Sequence, residues 1–201
     1  MYIPNHYKEE DKSKLLDFIR GNSFGILISG GEKLHGTHLP FLVEEKGTEI
    51  ILVSHMAKAN PQWNKFNETN ELLVIFTGPH GYVSPSNYEK VQNVPTWNYV
   101  AVHVYGKAKI VEGEEASLSV LEKTIHNYEK AYFKQWEQLS SDYKVKMIKG
   151  IVAFEITVSK LEGKYKLSQN KTKNEQENVI RSFDKEKNPV AELMKKNLTN
   201  E

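Results

Sequence analysis

Three side chains that can bind an anion lie close together where a predicted strand ends. Ser54 and His55 follow the β-branched run Glu49–Val53, and Lys58 lies near the start of a short helix predicted over Ala57–Phe66. The first N–H groups of a helix lack intrahelical partners, and the helix dipole favours negative charge there. A hydroxyl, an imidazole and an ammonium at such a junction are compatible with binding of an anion, and Lys58 is equally compatible with an ordinary exposed lysine.

A second group of side chains shares one face of a strand predicted over Trp97–Ile110. Side chains alternate across a strand, so Asn98 and the valines at 100, 102 and 104 point one way and should enter the core. The opposite face carries four rings, at Trp97, Tyr99, His103 and Tyr105. Such a face suits a dimer interface or the wall of a planar ligand, and equally a surface covered by a helix of the same chain.

The remaining reactive residues predict neither metal nor thiol chemistry. The chain has no cysteine, which excludes disulfides and thiolate catalysis. His35 and His38 are three residues apart, so a strand places them on opposite faces. His80 and His103 have no carboxylate at a metal-ligand spacing. No Asp or Glu occurs in the stretches 37–40, 55–63 and 76–85, and no carboxylate acid or base is evident there.

Charge and composition limit the kinds of molecule that the protein is expected to bind. The chain carries 27 basic and 26 acidic residues, a formal net charge of +1, and Lys171–Glu201 holds seven basic against six acidic residues. Proteins that bind nucleic acid mainly through its phosphates usually show a basic excess or a basic stripe, so specific DNA binding is not favoured. The N-terminus lacks the apolar core of a signal peptide, and no apolar run reaches membrane-spanning length. We therefore expect a soluble, cytoplasmic protein.

The predicted elements are mostly strands with a few helices. Besides Asp11–Arg20, helices are predicted over Glu114–Trp136 and from about Asn174 onward, and a turn is predicted at Gly78–Gly81. Strands are predicted at Ser23–Ser29, Leu34–Glu44, Glu49–Val53, Glu71–Thr77, Tyr82–Ser84, Trp97–Ile110 and Ile151–Val158. One long internal helix is too few for a doubly wound sheet, so the pattern predicts a mainly β barrel with flanking helices. We expect one domain over 1–170 and a C-terminal helical extension, 171–201, packed on or near it.

Five sequence blocks resemble the PaiB family, which belongs to the FMN-binding split barrels related to pyridoxine phosphate oxidase. The blocks are Thr37–Pro40, His55–Trp63, Phe76–Pro85, Val94–Tyr99 and Lys166–Asn170. Where the family more often has Arg, this chain has Lys at 58 and 171, which keeps the charge but loses the planar fork.

The resemblance implies a homodimeric split barrel of about six strands, with two FMN molecules at the interface and each FMN contacted by both subunits. It assigns the FMN phosphate to the segment that contains Ser54, His55, Met56, Lys58 and Asn60. It places the backbone of Thr37, His38, Leu39 and Pro40 along the edge of the flavin ring, and it takes Trp97, Asn98 and Tyr99 from the partner subunit.

Two classes of function stay open. The family resemblance implies a bacterial negative regulator of transcription whose role is coupled to flavin or to a metabolite. The same fold also serves flavin-dependent oxidoreductases, in which the cofactor carries the redox step. In that case catalysis would depend on His38, His80, Tyr82 or Tyr99 near the ring. Haem binding or degradation is a weaker third alternative.

Overall fold

The computed structural model describes residues 1–31, 33–66 and 71–199. Its strands are β1 Lys8–Glu9, β2 Phe24–Ser29, β3 His35–Pro40, β4 Leu42–Lys46, β5 Glu49–Ala57, β6 Leu72–Val83, β7 Thr96–Ile110 and β8 Ile151–Lys166. Its α-helices are α1 Lys12–Gly21, α2 Glu114–Tyr128, α3 Phe133–Gln138, α4 Ser141–Lys149, α5 Lys173–Lys185 and α6 Val190–Leu198. Among these described residues, no helix is both long enough and apolar enough to cross a membrane.

The strands form one sheet in the order β3-β2-β6-β7-β8-β5-β4, and β1 pairs with β8. Neighbouring strands run antiparallel; β5, for example, pairs with β8 from Ile51 opposite Thr157 to Ala57 opposite Ile151. The first and last strands of this order, β3 and β4, are consecutive in the chain and are separated only by Phe41. The chain therefore has the mainly β architecture with flanking helices that its sequence predicts.

Contacts within the chain divide it into two compact units. One unit consists of Met1–Phe18, Thr77–His103 and Glu162–Glu201, and the other of Ile19–Phe76 and Val104–Leu161. The core of the second unit contains four phenylalanines in edge-to-face contact. Phe41 lies 5.6 Å from Phe76 and 6.4 Å from Phe154, and Phe66 lies 5.0 Å from Phe154, between ring centroids.

The predicted alternation along β7 is confirmed. Asn98 and the valines at 100, 102 and 104 are all at most 1 % exposed. On the opposite face Trp97 is 51 % exposed, and Tyr99, His103 and Tyr105 are half-buried. One side of this strand therefore belongs to the core, and the other presents rings.

Several predicted local structures differ from the observed ones. The strand predicted over Leu34–Glu44 is divided at Phe41 into β3 and β4, and the strand predicted over Ile151–Val158 extends to Lys166. The internal helix α2 ends at Tyr128 instead of Trp136, because Glu129 adopts an extended backbone (φ −151°, ψ 72°) that cannot continue it. The turn predicted at Gly78–Gly81 is instead part of the continuous strand β6. The helix predicted over Ala57–Phe66 is a five-residue 3₁₀ helix, Pro61–Lys65, and Ala57 still belongs to β5.

Candidate functional site

The most heavily hydrogen-bonded side chain in the predicted cofactor region is Gln62, which is 1 % exposed. Its Nε2 donates to the carbonyl of Leu27 at 3.1 Å, to Ser29 Oγ at 3.2 Å and to the carbonyl of His35 at 3.3 Å. Its Oε1 accepts a hydrogen bond from the Thr37 hydroxyl. One amide thereby fixes the first turn of the 3₁₀ helix against β2 and β3.

Asn60 completes this arrangement, which we call the Gln62 network (Gln62, Thr37, Asn60 and Ser29). Asn60 Nδ2 donates to Thr37 Oγ1 at 2.9 Å, and its Oδ1 accepts from the Gln62 N–H at 3.0 Å, capping the 3₁₀ helix. The network has no charged member. It therefore holds β3 and the segment after β5 in a fixed geometry without bringing a buried charge.

Ser54 and His55 lie at the end of β5 and point in different directions. Ser54 is buried and donates its hydroxyl to the Pro40 carbonyl at 2.6 Å, which ties β5 to the end of β3. These two strands are far apart in the strand order, so the bond is a side-chain contact and not part of a ladder. His55 is half-buried, its Nδ1 is buried without a hydrogen-bond partner, and burial lowers its pKa.

Lys58 follows β5 directly and is exposed. Its backbone N–H donates to the Gly150 carbonyl at 2.9 Å, which fixes the main chain at this point. In the part of the chain that the structure describes, its ammonium has no hydrogen-bond or ion-pair partner. The 3₁₀ helix begins only after Asn60 and is too short for an appreciable dipole, so the helix argument for an anion here was wrong. The side chains themselves remain the donors.

The two faces of β3 separate its predicted site residues. Leu39 is buried, and Thr37 is held in the Gln62 network. His38 is exposed on the other face and stacks on Phe24 at 6.1 Å between ring centroids.

An aromatic hollow of about 390 Å³ lies beside β7 and is lined by Thr77, Gly78, His80, Trp97, Tyr99 and Val100. Trp97 contacts His80 at 5.9 Å and Tyr82 at 5.8 Å, between ring centroids. Asn98 is not part of this face. It is 1 % exposed, and its Nδ2 donates to Ser168 Oγ at 2.9 Å. Of the three residues predicted to contact the partner's flavin, the structure therefore brings only Trp97 and Tyr99 to one surface.

The structure thus brings together Thr37 with Asn60 and Ser54 with Pro40, each through a direct hydrogen bond. Met56 is 2 % exposed, so its side chain belongs to the core. Gln62, which organises the region, was not singled out in the sequence. It lies inside the block His55–Trp63, and its position directly after Asn60 and Pro61 was the available signal.

The residues at the end of β5 fit the phosphate end of a flavin nucleotide. A phosphate dianion needs donors that are not already used, and the unpaired Lys58 ammonium and the unpaired His55 Nδ1 are such groups. Ser54 is less suited, since its hydroxyl proton already goes to Pro40.

Comparison with known proteins decides the family. Residues 1–160 match the family model described as "Putative FMN-binding domain". The protease synthase and sporulation protein PAI 2 of Bacillus subtilis is 39% identical over 197 residues, which cover 96% of this chain and 94% of that protein. This chain belongs to the PaiB-type FMN-binding family. Membership confirms FMN as the cofactor that the sequence predicts.

Solved structures confirm the split-barrel fold. The flavocytochrome Anf3 from Azotobacter vinelandii superposes with a TM-score of 0.62 at 12% identity, over 82% of this chain and 72% of that one. The FAD and heme binding protein from Mycobacterium smegmatis gives a TM-score of 0.60 at 12% identity, over 80% and 73%. At such identities the likeness establishes the fold of a PaiB-type chain and not its activity.

Proposed function

We propose that this PaiB-type chain is a homodimeric, cytoplasmic FMN-binding protein of bacteria that represses transcription indirectly, in response to flavin or to a metabolite. The flavin part of the proposal rests on two unpaired groups at the end of β5, the buried Nδ1 of His55 and the exposed ammonium of Lys58 three residues later. The regulatory part is supported by the relative from Bacillus subtilis, whose name refers to protease synthesis and sporulation.

In the proposed site, Lys58 and His55 bind the phosphate, and Asn60 and Met56 belong to the same segment. The backbone of Thr37–Pro40 runs along the flavin ring, with Ser54 holding Pro40 in place. Trp97 and Tyr99 of the partner subunit cover the ring, and Asn98 supports them from the core side of β7. When bound, FMN supplies redox chemistry, and the protein residues orient it and exclude water.

The aromatic hollow supports the proposed dimer. Trp97 is 51 % exposed and Tyr82 is 51 % exposed, and the hollow that Trp97 lines is largely apolar. Apolar patches rimmed by polar residues often mark association surfaces. We propose that a second copy covers this face and brings its own flavin phosphate site.

A flavin-dependent oxidoreductase is the second candidate. It is favoured by His80, which lines the aromatic hollow at 5.9 Å from the Trp97 ring, between centroids, and could exchange a proton with a ligand there. No carboxylate is among the described residues that line this hollow. Oxidation of a nicotinamide cofactor by the FMN-loaded protein would favour the enzyme over the regulator.

The direct experiment is an absorption titration of the purified protein with FMN, with light scattering at micromolar concentration. We expect saturable flavin bands at one FMN per subunit and the mass of a dimer. A Soret band without flavin binding would favour the haem alternative, and a monomer would contradict the two-subunit site.

A second experiment concerns DNA. The balanced charge predicts that the dimer, with or without FMN, gives no sequence-specific footprint at physiological ionic strength. A footprint that persists against excess competitor DNA would contradict the indirect mode of repression. Lysines between Lys171 and Lys196 would then be the first contacts to examine.

A further inference from the structure

A small polar cavity lies within the compact unit formed by Met1–Phe18, Thr77–His103 and Glu162–Glu201. We call it the lysine cavity. Its volume is about 160 Å³, and ten described residues line it: two Lys, two Tyr, three Asn, one Ser, one Thr and one Val. None of these lining residues is a carboxylate. The lysines, Lys166 and Lys171, come from the block Lys166–Asn170 and the residue that follows it.

Lys166 ends β8 and has only uncharged acceptors. Its Nζ donates to the Trp97 carbonyl at 2.6 Å and to the Thr96 hydroxyl, and lies 5.8 Å from the centroid of the Tyr7 ring. Burial, with a smaller contribution from Lys164, lowers the pKa of Lys166. A partly desolvated ammonium without a carboxylate partner gains stability from a bound anion.

Lys171 approaches the cavity from the other end of the same segment. Its Nζ donates to Asn93 Oδ1 at 2.6 Å and lies 4.0 Å from the centroid of the Tyr88 ring. The nearest acidic residue on its own segment, Glu175, accepts from the N–H groups of Glu89 and Thr172 at 3.1 and 3.2 Å. Glu175 therefore attracts Lys171 electrostatically, but its carboxylate bonds backbone N–H groups and leaves the Lys171 ammonium accessible to a ligand.

The backbone between the two lysines is held in an unusual conformation. Ser168 has φ +69°, a left-handed conformation that non-glycine residues rarely adopt. It is 3 % exposed, and its Oγ donates to Asn98 Oδ1 at 3.2 Å while accepting from Asn98 Nδ2 at 2.9 Å. Such strain persists where surrounding structure enforces it, and it is concentrated at ligand sites. Here it turns the segment so that both lysines line one cavity.

We propose that the lysine cavity binds a small oxyanion, the phosphate or carboxylate group of a metabolite, between the ammonium groups of Lys166 and Lys171. The volume is below the roughly 300–1,000 Å³ of pockets for larger ligands, so a whole flavin does not fit. The absence of a carboxylate from the described lining disfavours a cationic ligand such as a polyamine. The cavity shares Asn98 and the Trp97 carbonyl with the segment proposed to cover the partner's flavin, but Lys166 and Lys171 are not among the residues proposed to bind FMN.

Calorimetric titration of the full-length protein with inorganic phosphate, at constant ionic strength, tests the proposal. Hydrogen bonds to charged groups contribute enough that Lys166→Met and Lys171→Met should each weaken phosphate binding at least about tenfold. Lys173→Met is the matched control, an exposed lysine two residues from Lys171, and should change affinity less than about twofold. Equal loss in all three variants, or no loss in the first two, would overturn the site.

A measurement on the unaltered protein covers the case in which a variant fails to fold. In amide NMR spectra, phosphate should cause saturable shifts at residues 93–98 and 166–171, and acetate should cause the same shifts if a carboxylate suffices. Shifts confined to the segment around Lys58 would overturn the proposal. So would displacement of the bound phosphate by one equivalent of FMN, since the two ligands would then share a site.

Discussion

The Gln62 network and the lysine cavity both contain buried polar side chains, but they satisfy them differently. Gln62, Thr37 and Asn60 are neutral, and each gives hydrogen bonds to or takes them from the others. Lys166 and Lys171 are cations, and their bonds go to carbonyl, hydroxyl and amide oxygens. The first arrangement is complete without a ligand and serves as a framework. The second has no carboxylate among its described lining residues, so a bound anion would supply the negative charge that this lining does not.

The largest effect should follow from breaking the neutral framework. Gln62→Leu leaves the Thr37 hydroxyl proton without its acceptor and removes one donor from each of the carbonyls of Leu27 and His35. Each unsatisfied group costs about 1–3 kcal/mol, so we expect the free energy of unfolding to fall by roughly 3 kcal/mol in urea denaturation. Gln135→Leu, at an exposed position, is the control and should stay within about 0.5 kcal/mol. A small effect at Gln62 would show that water can replace its bonds.

The second-largest effect should follow from removing the Lys58 ammonium. Lys58→Ala should weaken FMN binding about tenfold or more, because a charge-assisted contact to phosphate is worth on the order of 1.5–3 kcal/mol. Riboflavin lacks the phosphate and should lose far less affinity. Fluorescence titrations with both ligands measure the difference, with the exposed Lys107→Ala as control. Equal losses for FMN and riboflavin would assign Lys58 a role in folding.

At Ser168, in the segment between the two lysines of the lysine cavity, glycine should be more stable than alanine, which is the reverse of the usual order in a helix. Because Ser168 has φ +69°, Ser168→Gly should be more stable than Ser168→Ala by about 1 kcal/mol. At Ser117, inside α2, the order should be opposite and of similar size, since glycine is about 1 kcal/mol less favourable than alanine in a helix. Urea denaturation of the four variants gives both differences. If the alanine variant is the more stable one at both positions, the backbone at Ser168 is not strained.

The smallest effect is a pH dependence at the proposed phosphate site. Burial lowers the pKa of folded His55 below its unfolded value of about 6.5, so the unfolded chain binds the proton more readily. Its contribution to stability is therefore complete above about pH 6.5 and is lost as the pH falls through the folded pKa. Unfolding at pH 7.5 and 5.0 should show a smaller loss for His55→Gln than for the wild type. The loss that remains includes His103, whose pKa burial also lowers.

Local pattern was enough to predict some elements and their faces. The valines of β7 face away from its rings, and burial follows this alternation from 97 to 105 except at Ala101, which is buried on the ring face. The final helical region was predicted from about Asn174, and α5 begins at Lys173, where Thr172 and Glu175 form a capping box, a motif with a fixed spacing of three residues. In both cases the interactions that decide the structure lie within a few residues.

Long-range contacts explain what the sequence did not predict. Gly78 and Gly81 indicated a turn, but β6 continues through both. A Cβ at Gly78 would lie 2.9 Å from the Phe18 ring, and one at Gly81 would lie 2.6 Å from the Phe183 ring. These glycines permit close packing of rings that are distant in sequence. The lysine cavity likewise joins Tyr7 with segments near residues 88–98 and 166–171, so no local pattern shows it.

The pairing of β5 with β8 has a consequence for synthesis on the ribosome. Ile51 pairs with Thr157, so β5 emerges about 100 residues before its partner strand. At about 5–20 residues per second, this apolar strand waits on the order of 5–20 s before the ladder can form. During that interval its partner is β4, through the Leu42–Lys46 hairpin, and its other edge is open. Nascent chains of this protein are therefore most exposed to aggregation, and most in need of a chaperone, between the completion of β5 and the emergence of β8.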